Sequence, residues 1–169
     1  VVADPRARIL IAGQAPGTRV HATGIAWNDP SGDNLRDWLG VTREQFYDSQ
    51  SFALVPMGFC YPGRGAGGDL PPRRECAETW HPPLVPSLRR VELRVVIGQY
   101  SMRYHLGDRW RNAVAPTVRA FAEFLPAIIP LPHPSPRNRL WLRRNPWFAE
   151  ELLPQLRDRV RAICVRASS

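Results

Sequence analysis

Ile9-Leu10-Ile11-Ala12-Gly13-Gln14-Ala15-Pro16-Gly17 decides the fold. A short apolar run rich in β-branched residues stops abruptly at a loop punctuated by glycine and proline. Such a run predicts a strand buried on both faces and therefore parallel to its neighbours. Gly13 and Gly17 permit backbone torsions, or a close approach of ligand, that a side chain would forbid. Pro16 restricts Ala15 to extended geometry and stiffens the loop. Ligands of open α/β sheets bind beyond the carboxyl ends of the strands, so this loop is the first place to look for chemistry. On this stretch alone, an ordinary strand-to-helix turn is the alternative.

Three further apolar runs repeat the pattern: Ser51 to Met57, Leu93 to Gly98 and Ala127 to Leu131. Between them the chain reads as helices. Ser31 or Asp33 is suited to cap a helix through Leu35, Trp38 and Leu39, ended by Gly40. Thr42 with Gln45 forms a capping-box pattern for a short helix through Phe46. Met102 to Leu106 follows the third strand, and Pro116 suits the first turn of a helix covering Val118 to Phe124. Pro146 opens a final amphipathic helix that is kinked or restarted at Pro154. Thr18 to Pro30 reads as irregular, Gly58 to Pro72 as a long loop of the kind that is often functional, and Arg74 to Arg90 as a helix broken by Pro82, Pro83 and Pro86. Alternating strands and helices predict a three-layer α/β/α sandwich around a central, mainly parallel four-stranded sheet, with residues 1–169 forming one domain.

The length of 169 residues, 44% hydrophobic content and six Trp suit a globular domain with a substantial core. There is no apolar run long enough to span a bilayer and the start is unlike a secretory signal, so the expectation is a soluble cytoplasmic protein, acting as a monomer. The formal charge is +8, and every basic residue other than His is Arg. Arginine fits phosphate bidentately, which favours a polyanionic partner; a compositional bias of the source genome is the plainer explanation. The absence of Lys excludes a lysine Schiff base and a lysine-bearing phosphate loop. Cys60, Cys76 and Cys164 are too few and too widely spaced for a disulfide scaffold. Cys60 and Cys76 are either half of a metal site or two separate buried thiols.

The fourth strand runs directly into Pro132-His133-Pro134-Ser135-Pro136-Arg137-Asn138. Prolines flank His133 and Ser135, and a loop so stiffened suits insertion into a nucleic-acid groove. His133 is placed to donate to charge developing on a leaving group, and Arg137 to project as a wedge. Arg139, Arg143 and Arg144 follow, interleaved with Trp141 and Trp147. That composition suits phosphate and base contacts, or else a solvated basic face whose tryptophans point to the core.

Together the two loops resemble the uracil-DNA glycosylase superfamily. Gly13-Gln14-Ala15-Pro16-Gly17 matches its first motif and His133-Pro134-Ser135-Pro136 its second, each directly after a buried strand. The resemblance extends over nearly the whole chain. It is greatest to a bacterial branch of broad base specificity, with Gly-Gln-Ala-Pro-Gly as first motif and, at the second, His-Pro-Ser-Pro-Arg-Asn here. The spacing from Gly17 through Gly24 to Trp27 is similar to that of the iron–sulfur branch, in which an aromatic residue stacks on the flipped uracil.

The resemblance implies excision of a deaminated base from uracil-containing single- or double-stranded DNA. Pro134, Ser135 and Pro136 would compress the backbone, with Asn138 and Arg139 beside them on the DNA. Arg137 would fill the hole in the stack. Trp27 would stack on the base, Gly13, Gln14, Ala15 and Met57 would line its pocket, and His133 would stabilise the departing base. A non-catalytic uracil-DNA binding protein of the same fold is the alternative, and an α/β nucleotide-binding or regulatory domain unrelated to DNA a third. The alternatives stand because the chain departs from the family at several points. The first motif carries Gln14 and Ala15 where a carboxylate or Asn is usual, and Gln14 cannot act as a base towards water. Asp29, in Asp29-Pro30-Ser31-Gly32-Asp33, is the nearest substitute, matching an Asp-x-Ser-Gly-Asp stretch of another branch; its plainer role is a helix cap. Asp33 is assigned a structural role, and His21 is a second-rank candidate. Pro56 stands where relatives have an Asn that reads the uracil edge. The step from Cys60 to Cys76 is the spacing of two of four cluster ligands, but their usual partners lie upstream of the first strand, where this chain has only a cysteine-free lead. The expectation is therefore no cofactor and no metal, Cys60 and Cys76 becoming ligands only if upstream cysteines exist.

Overall fold

In the computed structural model, which describes residues 1–167, the four apolar runs form one all-parallel sheet. The strands are β1 (Ile9–Ala12), β2 (Phe52–Leu54), β5 (Leu93–Ile97) and β6 (Ile128–Leu131), in the order β2-β1-β5-β6. Ile9 stands opposite Phe52 and Leu93, and Ile97 opposite Leu131. Every residue of β1, β2 and β6 is buried, as expected of strands covered on both faces. Pro130 is tolerated inside β6 because that strand is at the edge of the sheet.

Helices complete a three-layer α/β/α sandwich. They are α1 (Thr18–Thr23), α2 (Pro30–Leu39), α3 (Arg43–Phe46), α4 (Arg74–Ser87), α5 (Gly98–Leu106), α6 (Val114–Arg119), α7 (Arg139–Arg144) and α8 (Leu153–Ala167). A two-stranded antiparallel hairpin, β3 (Arg64–Gly65) with β4 (Gly68–Asp69), lies inside the long loop after β2. α2 packs against α8, and α5 and α6 pack against β5 and β6. The rings of Trp38 and Phe148 meet edge to face at 4.8 Å. Phe46, Phe52 and Phe148 are almost completely buried, each contributing about 1.5–3 kcal/mol of transfer free energy. Among the described residues no helix is long and apolar enough to cross a membrane.

Several local expectations need correction. Thr18 to Thr23 is helical rather than irregular; α1 buries none of its residues, so no apolar period marks it, and it ends at Gly24 with φ +70°. The cap of α2 is Asp29 rather than Ser31 or Asp33. Its Oδ1 accepts from Gly32 N at 2.8 Å, and Pro30 takes the first helical position, where a missing N–H costs nothing. α4 runs through Pro82, Pro83 and Pro86 without a break, anchored on one side by buried Ala77 and His81. The Gly40 stop and the Thr42–Gln45 capping box are as expected. The last helical stretch opens as a π-type turn at Phe148–Leu152 before α8, so Pro154 falls in the first turn of the α-helix.

Candidate active site

Because the strands are parallel, their carboxyl ends converge on one edge of the sheet. The first loop is stitched to the end of β2 by a continuation of the ladder. Val55 N donates to Ile11 O at 3.0 Å, Met57 N to Gly13 O at 3.0 Å and Gly58 N to Gln14 O at 2.8 Å. The Gln14 side chain lies over Gly98, where a Cβ would stand 3.1 Å from Gln14 Cδ. Gly98 has φ +78°, a left-handed conformation that also favours glycine.

These loops enclose a cavity of about 420 Å³. Gly13, Gln14 and Ala15 form one wall, Trp27 and Asp29 a second, and His133 a third. The Trp27 and His133 rings are 6.1 Å apart and inclined by 33°. An indole from the loop between α1 and α2 and an imidazole from the loop after β6 thus border the same cavity.

Trp27 is held in an uncommon backbone state, φ +59°. Its carbonyl accepts from Arg36 Nη1 at 3.2 Å. The neighbouring Ala26 carbonyl accepts from Tyr47 Oη at 2.7 Å. Any Cβ on Gly32 would lie 1.8 Å from the Trp27 oxygen, so glycine is required there. Arg36 is 6% exposed, pairs with Asp33 Oδ1 at 2.6 Å and lies over the Phe46 and Tyr47 rings. Asp33 thus acts in the support of Trp27. Asp29 commits Oδ1 to the helix cap, leaving Oδ2 without a protein hydrogen bond among the described residues.

The His133 loop is fixed from inside. Asn138 Nδ2 donates to the His133 carbonyl at 2.6 Å, and Asn34 Nδ2, from α2, to the Pro134 carbonyl at 2.8 Å. Ser135 Oγ accepts from Arg137 N at 3.3 Å. Burial pushes the His133 imidazole below its ordinary 6.5, against the opposing pull of the Asp29 and Asp69 carboxylates. A neutral imidazole, able to donate from one nitrogen, results at neutral pH.

Of the other candidate residues, Ser135 and Arg137 line the cavity; Arg137 and Arg139 are exposed, whereas Pro134 is buried. Pro136 and Asn138 form a 3₁₀ turn leading into Arg139 and α7. Met57 is 5% exposed and contributes no wall of the cavity, whereas Pro56 does. The Pro56 carbonyl is within 3.0 Å of Nε2 of the fully buried His81. His21 lies beside Tyr61, with ring centroids 6.3 Å apart and planes inclined by 46°. Trp141 and Trp147 pack against each other and the core rather than presenting stacking faces. Sequence reasoning passed over Arg19, Tyr61, Arg64 and Asp69, all of which line the cavity. The signal available for the last three was the unusual length of the Gly58 to Pro72 loop.

Cys60 is exposed, and Cys76 Sγ accepts from Phe59 N at 3.2 Å. No group of three or more His, Cys, Asp or Glu among the described residues is arranged to hold a metal ion. The donor set present does not fit a four-ligand iron–sulfur cluster.

An aromatic face, a neutral histidine and a carboxylate thus border one cavity on the carboxyl-end side of an α/β/α sheet. Residues 1–157 match the Uracil DNA glycosylase superfamily, and the chain belongs to that superfamily. Its function is of the uracil-DNA glycosylase type, with DNA as the substrate the family fold binds. Among solved structures, wild-type SMUG2 of Pedobacter heparinus is a remote likeness: 14% identity over 96% of this chain and 77% of that one, with a TM-score of 0.42.

Proposed function

We propose that this chain is a monofunctional DNA glycosylase that extrudes uracil from single- or double-stranded DNA and hydrolyses its N-glycosidic bond in base-excision repair, with other deaminated bases as further substrates. It acts as a single-domain monomer and needs no cofactor. The observation that carries the reading is the convergence of Trp27, Asp29 and His133 on one cavity of about 420 Å³.

Extruding the nucleotide costs roughly a few kcal/mol, least at a mismatch or in a single strand. Trp27 stacks on the extruded base, and Gln14 offers its amide to the base edge. The bond from C1′ to the base breaks with its electron pair leaving on the base, and the sugar becomes oxocarbenium-like. His133 donates a hydrogen bond to the base as negative charge spreads over it. The free oxygen of Asp29 faces the cationic sugar and orients the water whose oxygen adds to C1′. The proton released by that water balances the charge of the departing base. Ser135, Pro136, Asn138 and Arg139 hold the strand, the buried Pro134 stiffens the loop that presents them, and Arg137 fills the vacated stack.

Single-turnover assays on uracil-containing oligonucleotides test the reading. Free uracil and an intact abasic strand, cleaved only by later alkali or heat, are the expected products. Borohydride should trap no adduct, since the chain has no Lys. Retention of uracil DNA without excision would replace the enzyme with a binding protein, for which the absence of a carboxylate at Gln14 and Ala15 is the argument. Absence of any interaction would reject both. Hypoxanthine and xanthine substrates in the same panel define the base range.

A further inference from the structure

We infer that Arg19 and Arg64 form a second phosphate-gripping rim of the cavity that Arg137 also lines, so that the enzyme holds the DNA strand on both sides of the extruded nucleotide. The inference rests on the proposed entry of a nucleotide into this cavity. Three arginines from three separate elements line it: Arg19 from α1, Arg64 from the β3–β4 hairpin, and Arg137 from the loop after β6. Arg19 and Arg64 are exposed. Neither guanidinium has a hydrogen-bond or ion-pair acceptor among the described residues.

Many other arginines of the chain are engaged internally, as in the pairs of Arg8 with Glu92, Arg111 with Glu123 and Arg119 with Glu151. Arg64 has an obvious internal candidate and does not use it. Asp69 is its cross-strand neighbour in the hairpin, yet Asp69 Oδ1 accepts from Tyr61 Oη at 3.1 Å. Tyr61 thereby ties the loop before the hairpin to its second strand, and Leu70 N closes the base of the hairpin on Gly63 O at 2.8 Å. The unengaged cation is thus presented on a supported element. The extruded nucleotide carries a phosphate on each side, and arginines on three separate elements give each of them a cation to meet. Planar guanidinium forks suit phosphate oxygens and read no base.

The test measures binding of undamaged and abasic-analogue single-stranded oligonucleotides across a salt series, for wild type, Arg19→Ala, Arg64→Ala, the double variant and Arg90→Ala. Arg90 lines a different cavity, beside Arg6 and Glu92, and controls for net charge alone. Each rim substitution should weaken binding to both oligonucleotides and lower the salt slope by about 0.7 for each phosphate no longer gripped. Arg64→Lys should restore most of the slope, which separates removal of the charge from a disturbed hairpin. Unchanged slopes in Arg19→Ala and Arg64→Ala, or an equal change in Arg90→Ala, would overturn the inference while leaving the glycosylase reading intact. A wild-type protein that binds neither oligonucleotide and excises nothing would overturn both.

Discussion

Trp27 lies directly against the backbone of Gly13: a Cβ placed on Gly13 would be 2.8 Å from Trp27 Cζ2, inside van der Waals contact. The glycine of the first loop therefore sets where the Trp27 indole rests. The ring has little freedom to retreat, because the Trp27 carbonyl is held by Arg36 and pressed on Gly32. Gly13→Ala should cost about 1–3 kcal/mol through overpacking, and displacement of the indole should slow single-turnover excision roughly 100-fold. Thermal melts alongside rapid-quench assays check both. A variant excising at the wild-type rate would show that the base does not depend on Trp27.

His133 predicts a displaced acid limb. Burial lowers its pKa from 6.5, so the donating neutral imidazole persists as pH falls past that value. The single-turnover rate should stay level from neutral pH down past 6.5 and then decline as His133 protonates at its lowered pKa. A decline centred at or above 6.5 would assign the limb to another group. The measurement is a rate–pH profile under enzyme excess, which keeps binding out of the rate.

His105 makes the corresponding prediction for stability. Burial, with Arg94 and His81 nearby, lowers its pKa from 6.5 to about 3, and its Nε2 has no hydrogen-bond partner among the described residues. The unfolded chain therefore binds a proton that the folded chain refuses between those values. Stability should be fully retained above 6.5 and fall as pH drops from 6.5 towards 3. His105→Phe keeps a ring against Tyr104 and should flatten the decline. Denaturant titrations in this acid range check the slope.

The sheet was legible because buried parallel strands need nothing but short apolar runs with abrupt stops, and Ile9 to Ala12 and Ile128 to Leu131 supply them. The strand-end loops were legible for the same reason: topology puts Gly13 and His133 at one edge whatever the helices do. α1 was not, since an exposed six-residue helix such as Thr18–Thr23 has no apolar face to reveal it. The β3–β4 hairpin was not either. Arg64-Gly65-Ala66-Gly67-Gly68-Asp69 lacks alternating apolar residues, and nothing local fixes where Tyr61, Arg64 and Asp69 swing relative to the sheet. For Asp29 the sequence offered cap or catalyst as alternatives; the two carboxylate oxygens allow both, one bonded to Gly32 and the other left over.

Arg137 is exposed, lines the cavity and follows a loop fixed by Asn34 and Asn138. A rigid loop carrying a long cation suits a wedge that replaces an extruded base. Arg137→Ala should slow excision more from paired duplex than from single strands, because a single strand leaves no hole to fill. Equal losses on the two substrates would reduce Arg137 to a phosphate contact. In that case the deficit should shrink as salt rises and phosphate attraction weakens for the wild type as well.

Asp29 carries the sharpest test, because its cap and its proposed catalytic role separate by substitution. Asn caps a helix about as well as Asp, so Asp29→Asn should leave stability nearly unchanged. Asp29→Ala should lose about 1 kcal/mol with the cap. If Asp29 acts on the cationic sugar as proposed, removal of its charge should cut the single-turnover rate about 100- to 1,000-fold in both variants, with binding to uracil DNA nearly intact. His133→Ala should give a loss of similar order from the opposite end of the breaking bond, and the double variant need not be additive. If Asp29→Asn kept full activity while Asp29→Ala merely melted earlier, Asp29 would be a cap alone. Asp33 could not readily take its place, because it does not line the cavity and its Oδ1 pairs with Arg36 at 2.6 Å. Asp69 lines the same cavity and retains an oxygen beyond the one that accepts from Tyr61. The search for the carboxylate would then move from α2 to the hairpin.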